Sequence, residues 1–396
     1  MISATPLRLC EVSVSQLRCH EQLTWQCSPG LNMIIGANGS GKTSLLEAVY
    51  LMAFGRSFRQ ARDPFLVRRG QERFVIHGSW QRFGPMKISA TGYRGQTSLR
   101  LQGRDVQRRK DVSESFPVLV EAPQGRQLID GAPNERRRWL DGLVMTCFQG
   151  LNVHYDRYLR AVMQRSRLLR KGITSDDLDA WEYQIVRHGQ PIIEARSVLL
   201  DELNEILAGE QQLTEHPVIM DMKMPDYDEE GWLKRLSSKR QDDMRMGGLR
   251  FGPHCDVVQM HFQEREIRSA GSRGQQKLAA IAIKMAECAL WRQYRRMLPV
   301  VLLDDCLEAL DRERQTRALQ RLSDHPGQVV ITAPEGAQIS TQIDISAQRL
   351  KAGVLSGVEV KHQDISVQSS IPGAAESGMH DDMISRPETT IMEEAA

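Results

Sequence analysis

Between Val75 and Leu101 apolar and polar residues alternate, with breaks at Gly84-Pro85, Gly92 and Gly95. Alternation at a period of two, punctuated by glycine and proline, predicts antiparallel strands with one buried face. Two other stretches are short and almost wholly apolar: Leu31-Asn32-Met33-Ile34-Ile35 and Pro299-Val300-Val301-Leu302-Leu303. Such runs suit strands covered on both faces, as in a parallel sheet. Helical spacing appears at Ser44–Leu51, at Leu278–Met297, and from Asn134 to about Leu207. Arg157–Lys171 places Leu159, Val162, Met163, Ser166 and Leu169 on one helical face. The expected class is therefore α/β, with antiparallel strands near the start and a mainly helical insertion.

The turn between the first apolar run and its helix reads Gly36-Ala37-Asn38-Gly39-Ser40-Gly41-Lys42-Thr43. It fits the phosphate-loop pattern G-x-x-x-x-G-K-[ST] at every fixed position, in the strand–loop–helix context the pattern needs. Backbone N–H groups of such a loop wrap a phosphate, and the helix N-terminus adds its dipole. Lys42 is expected to reach the β- and γ-phosphates of ATP, and the Thr43 hydroxyl to hold Mg²⁺.

The second apolar run ends in Asp304-Asp305. An acid at the carboxyl end of a buried strand stands where open α/β sheets bind ligands. Asp304 is expected in the Mg²⁺ shell, and Asp305 to orient or deprotonate the attacking water. With Lys42 they make up the catalytic candidates. Ser272-Arg273-Gly274-Gln275 opens the later helical pattern, its Gln275 lying 29 residues before Asp304. This Ser-x-Gly-Gln core resembles the signature loop of ABC-type ATPases, and Glu308-Ala309-Leu310-Asp311 is similar to their D-loop, which Asp311 closes. In such heads the ATP on one phosphate loop is capped by the partner's signature loop. The resemblance thus implies an ATP-dependent homodimer, with Ser272 and Gly274 facing the partner's γ-phosphate.

Composition narrows the class. The chain has 396 residues, 26% of them charged. It contains no apolar run of about 18 residues, so no membrane helix is expected. Arg8, Glu11 and Arg18 interrupt any signal-peptide core. Seven scattered cysteines without a C-x-x-C pair fit a reducing cytoplasm and no zinc site. From Gln363 to Ala396, seven acids and one base give a net −6, which leaves +8 on the rest of a chain whose total is +2. This segment, 363–396, is expected to be a disordered acidic tail.

A basic body suggests a polyanionic partner. Arg157, Arg160, Gln164, Arg167 and Lys171 step along one helical face, in a stretch of six bases and no acid. Such a stripe suits phosphate tracking, and equally a solvated face pairing with acids elsewhere. Arg136-Arg137-Arg138 and Arg104, Arg108, Arg109 and Lys110 add basic clusters. Aromatic content of 6% gives no evident base-stacking platform. No sustained heptad runs through the insertion, which excludes a long coiled-coil arm.

Several stretches together resemble the RecF family of bacterial DNA-repair ATPases. They are Gly55-Arg56-Ser57-Phe58-Arg59, Gly131-Ala132-Pro133-Asn134-Glu135-Arg136-Arg137-Arg138-Trp139-Leu140-Asp141, Gln164-Arg165-Ser166-Arg167-Leu168-Leu169, Gly252-Pro253-His254 and Ser272-Arg273-Gly274-Gln275-Gln276. The resemblance runs from about Leu7 to about Val360. It implies a P-loop ABC/Rad50-head-like ATPase lobe from 1–125 and 246–362, with an inserted mainly helical lobe at 126–245. It further implies ATP-dependent dimers, weak DNA-stimulated hydrolysis, and binding to single-stranded or gapped DNA. With RecO and RecR, such proteins help load RecA and support the SOS response. Arg56 and Arg59 are carried over as nucleotide or DNA contacts, and His254 as a lesser candidate.

The chain departs from the family pattern at two places. Cys255-Asp256-Val257 stands where Arg-Asp-Asp is usual, and Ala309 where the D-loop commonly has Glu. Asp305, shorter than the Glu of most ABC ATPases, implies slow hydrolysis. Two other readings stay open: an ATP-gated interaction protein with negligible turnover, and a transporter-type ATPase subunit.

Overall fold

The computed structural model describes residues 5–59, 65–123, 128–173, 176–222, 228–262, 264–335, 345–351 and 353–358. The acidic segment 363–396 lies outside the described residues. In chain order the principal strands are β1 (Arg8–Leu17), β2 (His20–Gln26), β3 (Leu31–Gly36), β4 (Arg73–Gln81), β5 (Pro85–Tyr93), β6 (Gln96–Leu101), β7 (Val118–Glu121), β8 (Val218–Met222), β9 (Val258–Phe262), β10 (Val300–Leu303), β11 (Val329–Pro334), β12 (Ser346–Lys351) and β13 (Val354–Val358). The principal helices are α1 (Lys42–Phe54), α2 (Pro133–Cys147), α3 (Leu151–Arg170), α4 (Asp176–Gly209), α5 (Glu229–Ser238), α6 (Arg273–Arg295) and α7 (Arg312–Ser323).

One six-stranded sheet runs β13-β12-β3-β11-β10-β7. Its strands are parallel except β13, which returns antiparallel to β12. The second sheet runs β2-β1-β4-β5-β6, completed by Arg104–Asp105, and is antiparallel throughout. The alternation from Val75 to Leu101 is this meander. Helix α1 lies between the sheets. It is buried on nearly every side, with Leu45, Leu46, Val49, Leu51 and Met52 fully enclosed and Glu47 its one fully buried charge, as suits a helix enclosed by two layers. Strand β3 serves two cores at once: Leu31, Met33 and Ile35 face the helical side, and Ile34 faces α1.

The core continues from the parallel sheet through α6 into α2, α3 and α4. Strands β8 and β9 pair antiparallel, Met220 opposite Met260, so a small sheet spans position 246. On α3 the buried face runs Tyr155, Tyr158, Val162, Arg165, Leu169, with Ala161 and Ser166 beside it. Leu159 and Met163, expected on the apolar face with Val162, are instead 45% and 62% exposed. The reason is Arg165, which occupies the inner line. Its guanidinium donates to Glu182 at 2.8 Å, to Asp243 at 2.7 Å and to the Leu236 carbonyl at 2.8 Å. A buried charge is tolerated when paired in this way. Among the described residues no helix is long and apolar enough to cross a membrane.

Candidate nucleotide site

The phosphate loop leaves the carboxyl end of β3, which is buried along its whole length, and enters α1 at Lys42. Gly39 and Gly41 have φ of 81° and 104°, a region in which a side chain is strained. At Gly36 space is the constraint, since a Cβ would lie 2.7 Å from the Leu350 carbonyl and from Ser40 Oγ. No side chain caps α1, so its first N–H groups remain for an anion. Lys42 Nζ donates to the carbonyls of Gly36 at 2.8 Å and Ala37 at 3.1 Å, which folds the ammonium back over the loop. Ser40 Oγ is buried without a hydrogen-bond partner. Ala37, Asn38 and Gly39 are exposed.

Asp304 follows β10, two strands from the loop. It is buried, and burial raises its carboxyl pKa against hydrogen bonds from Thr332 and Thr43 that lower it. Thr43 and Asp304 are therefore together, and Arg59 is near enough to act on Asp304 electrostatically. The Thr332 hydroxyl donates to Asp304 Oδ1 at 2.7 Å and lies 3.3 Å from Asp305 Oδ1, while the Asp305 N–H donates to Thr332 at 2.9 Å. Asp305 has φ 49°, a left-handed conformation uncommon outside glycine. Hard oxygen donors at Thr43 and Asp304, beside an uncapped helix start and an unpartnered Ser40 hydroxyl, fit a magnesium–nucleotide pair.

Arg59 and Arg56 separate. Arg59 is half-buried, with Nε enclosed and unpartnered, whereas Arg56 is exposed. Their turn is pinned behind α1 by fully buried Glu47, which accepts from Arg18 at 2.9 Å twice and from the Ser57 hydroxyl.

Ser272 is the N-cap of α6 and accepts from Gln275 N at 3.3 Å, while Gln275 Oε1 accepts from Ser272 N at 2.9 Å. Ser272 and Arg273 are exposed and Gly274 is buried. A Cβ at Gly274 would sit 3.4 Å from the Ala309 carbonyl and from Leu310, so the signature turn rests on the D-loop of its own chain. Asp311 caps α7, accepting from Arg314 N at 2.9 Å. Arg273, Lys277, Glu121, Asp130 and Asp304 share a cavity of about 280 Å³. Burial pushes Glu121 up to about 7.

The α3 stripe stays on the surface: Arg157, Arg160, Arg167 and Lys171 are all exposed. The Arg triplet divides. Arg136 is buried against Glu266 at 3.2 Å and Arg137 donates to the Asp256 carbonyl at 2.9 Å, leaving Arg138 exposed. His254 is half-buried between Tyr158 at 2.6 Å and the Leu249 carbonyl at 3.1 Å. It braces a turn.

Sequence reasoning missed Thr332, Lys277, Glu47 and Glu215. Lys277 Nζ donates to the Asp305 carbonyl at 2.7 Å, tying α6 to the acid pair. Glu215 takes both Nε and Nη2 of Arg314 at 2.9 Å and Arg317 at 2.5 Å, clasping the D-loop helix. A threonine ending the apolar run Val329-Val330-Ile331 was the one local signal.

The family model described as RecF/RecN/SMC N terminal domain matches residues 8–349. The DNA replication and repair protein RecF of Stenotrophomonas maltophilia is 32% identical, over 83% of this chain and 93% of the relative. The chain belongs to the RecF family. The RecF of Heliobacterium modesticaldum is 30% identical over 81% of this chain and 91% of its own. A solved structure of a recombination mediator RecF with ATP aligns at TM-score 0.74 and 23% identity, covering 89% of this chain and 100% of that one. An Smc head domain from Pyrococcus furiosus aligns at 0.56 and 16%, over 91% of this chain and 96% of that one. Both structural likenesses concern the fold, which is the ATPase-head α/β architecture expected from the motifs.

Proposed function

We propose that this chain is an ATP-switched DNA-binding protein of recombinational repair and replication restart, working in the cytoplasm. In this reading ATP and Mg²⁺ bind the phosphate loop, two copies close on the nucleotide, and slow hydrolysis separates them. The pair binds single-stranded or gapped DNA, helps RecO- and RecR-type proteins load RecA, and supports the SOS response. The observation that carries the reading is the meeting of Thr43 and Asp304, supplied by two non-adjacent strands, beneath a phosphate loop with an unblocked helix N-terminus. Family membership supports the repair role.

The residues divide the work. Gly36 to Thr43 hold the phosphates by backbone N–H groups, and Lys42 adds charge. Thr43 and Asp304 would hold Mg²⁺, which neutralises phosphate charge when bound. Asp305, fixed by Thr332, positions the water. Arg59, which acts on Asp304 electrostatically, supports that centre, while the exposed Arg56 meets DNA. Ser272, Arg273, Gly274 and Gln275 cap the partner's nucleotide, and Asp311 holds the adjoining helix start. Arg157, Arg160, Arg167 and Lys171 on the inserted lobe follow the DNA backbone.

The test is sedimentation and DNA binding without nucleotide, with ADP, and with a non-hydrolysable ATP analogue. Dimers and salt-sensitive DNA binding are expected only with the analogue, and both should vanish in Lys42→Met. Asp305→Asn should make ATP-driven dimers persist. Dimers that form without DNA binding would remove the repair role and leave an ATP-gated interaction protein.

A further inference from the structure

We propose that Cys19 is a peroxide-sensitive modification site whose oxidation closes the phosphate loop to nucleotide. The proposal rests on the reading of Gly36–Thr43 as a nucleotide loop, and no role assigned above uses Cys19 or His20.

Cys19 lies in the two-residue turn between β1 and β2 and is exposed. The next residue, His20, is buried, and its Nε2 stands 3.1 Å from the Gly41 carbonyl. A methyl group placed at Gly41 would meet His20 Cε1 at 2.4 Å and Cys19 Sγ at 2.7 Å. Sulfur and imidazole therefore both press on the last glycine of the loop. Ser44, in the first turn of α1, is near enough to the sulfur to help lower its pKa, close to that helix's positive end.

The surroundings make this thiol unlike the others described. Its hydrogen bond with His20 holds the Cys19 pKa below the usual value, although burial opposes it. Burial acts against the charged form of His20, yet Cys19 and the Gly41 carbonyl together raise the imidazole above its usual value. A thiolate beside an imidazolium is the nucleophilic form of cysteine. Cys27, Cys147, Cys288 and Cys306 are buried, and burial pushes each of their thiols up, as it does that of Cys255. Cys10 is half-buried.

The step balances with hydrogen peroxide alone. The Cys19 thiolate attacks one peroxide oxygen, an S–O bond forms and the O–O bond breaks. Hydroxide leaves and takes the imidazolium proton as water. Sulfur is oxidised to sulfenic acid by two electrons, and the peroxide is reduced. An oxygen added to this sulfur enlarges a side chain that already stands where a methyl on Gly41 would have no room, and in the proposed state Gly41 and the N–H groups beyond it shift to accommodate it. Nucleotide on the loop should in turn hold Gly41 still and shield Cys19.

The full chain is treated with hydrogen peroxide, the oxidised cysteine is located by peptide mass, and affinity for a non-hydrolysable ATP analogue is measured before and after. Cys19 should oxidise first, more slowly with the analogue bound. Affinity should fall by about tenfold, the scale of one overpacked contact, and dithiothreitol should restore it. Cys19→Ser and Cys19→Ala, each compared with itself before treatment, should show no fall. Another cysteine reacting first, an affinity unmoved by Cys19 oxidation, or an equal loss in the variants overturns the proposal. If untreated protein bound no analogue, the nucleotide reading would fall and the gate with it, whereas the mass measurement would still judge Cys19 reactivity separately.

Discussion

The phosphate loop and the inserted lobe are built in opposite ways. The loop is made of backbone: eight consecutive residues, with glycines where φ reaches 81° and 104° and where a neighbour at 2.7 Å leaves no space. The lobe and its junction with the D-loop are made of paired side chains from distant segments. Arg165 joins α3 to Glu182 and Asp243. Arg196 joins Asp141 to Asp256. Glu215 and Glu210 hold Arg314, Arg317 and Arg321 of α7. The difference separates two kinds of specification. A backbone site is written in one stretch of sequence and fails at single glycines, whereas an ion-pair framework is spread over the chain and fails by stranding buried charge.

The largest expected effect tests the framework. Arg165→Ala leaves Glu182 and Asp243 facing each other in a buried site. Removing one partner of a buried pair costs about 3–5 kcal/mol, so the denaturation midpoint should fall sharply. If the loss is below about 1 kcal/mol, water or a neighbour such as Arg240, whose Nε is 3.0 Å from Glu182, has taken over.

Gly41→Ala tests the loop. The new methyl would fall 2.4 Å from His20 in a backbone region that L side chains avoid. Affinity for the ATP analogue should drop by about tenfold or more, while the folded state, read by circular dichroism, persists. If the fold is lost instead, the loop carries the packing of β2 on α1 as well as the phosphate.

This asymmetry governed what the sequence could tell. β3, the loop, α1, β10 with its acids, and the start of α6 at Ser272 were legible, because each is fixed by neighbours in the chain. Thr332, Lys277 and Glu215 were not, since each acts on a residue at least 27 positions away. The α3 face was misassigned for the same reason. Apolar letters at Leu159 and Met163 look inward until Arg165 is known to have two acids waiting. The two departures from the family pattern also gain a local meaning. Asp256 is engaged by Arg196 at 3.1 Å, and Ala309 occupies the left-handed region at φ 64° against Gly274.

Glu215→Gln sharpens the comparison at the rim of the framework. Arg314 and Arg317 hold its carboxyl at about 2, below the ordinary 4.5, with the Arg314 hydrogen bonds the main cause. A lowered pKa contributes stability that is full above about 4.5 and lost as pH falls towards 2. The substitution should cost about 1 kcal/mol near neutrality, as for partly exposed pairs, and less with each step down through that window. A cost that stays constant as pH falls would show that the clasp works by shape rather than by charge.

The smallest effect on stability belongs to the surface of α3. Arg160 and Arg167 are exposed, and surface substitutions away from pairs change stability by at most about 0.5 kcal/mol. Arg160→Gln and Arg167→Gln should therefore leave the denaturation midpoint in place. Their effect should appear in DNA binding with the ATP analogue present. Each lost phosphate contact lowers the dependence of log affinity on log salt by about one, so the double variant should bind more weakly with a slope shallower by about two. The fall should be the same on every sequence, because phosphate contacts carry no base information. An unchanged slope would return the stripe to ordinary solvated surface and move the search for the DNA path to Arg56, Arg138 and the antiparallel sheet. Arg165 and Arg160 lie five positions apart on one helix, one expected to decide stability and the other only the salt dependence of binding.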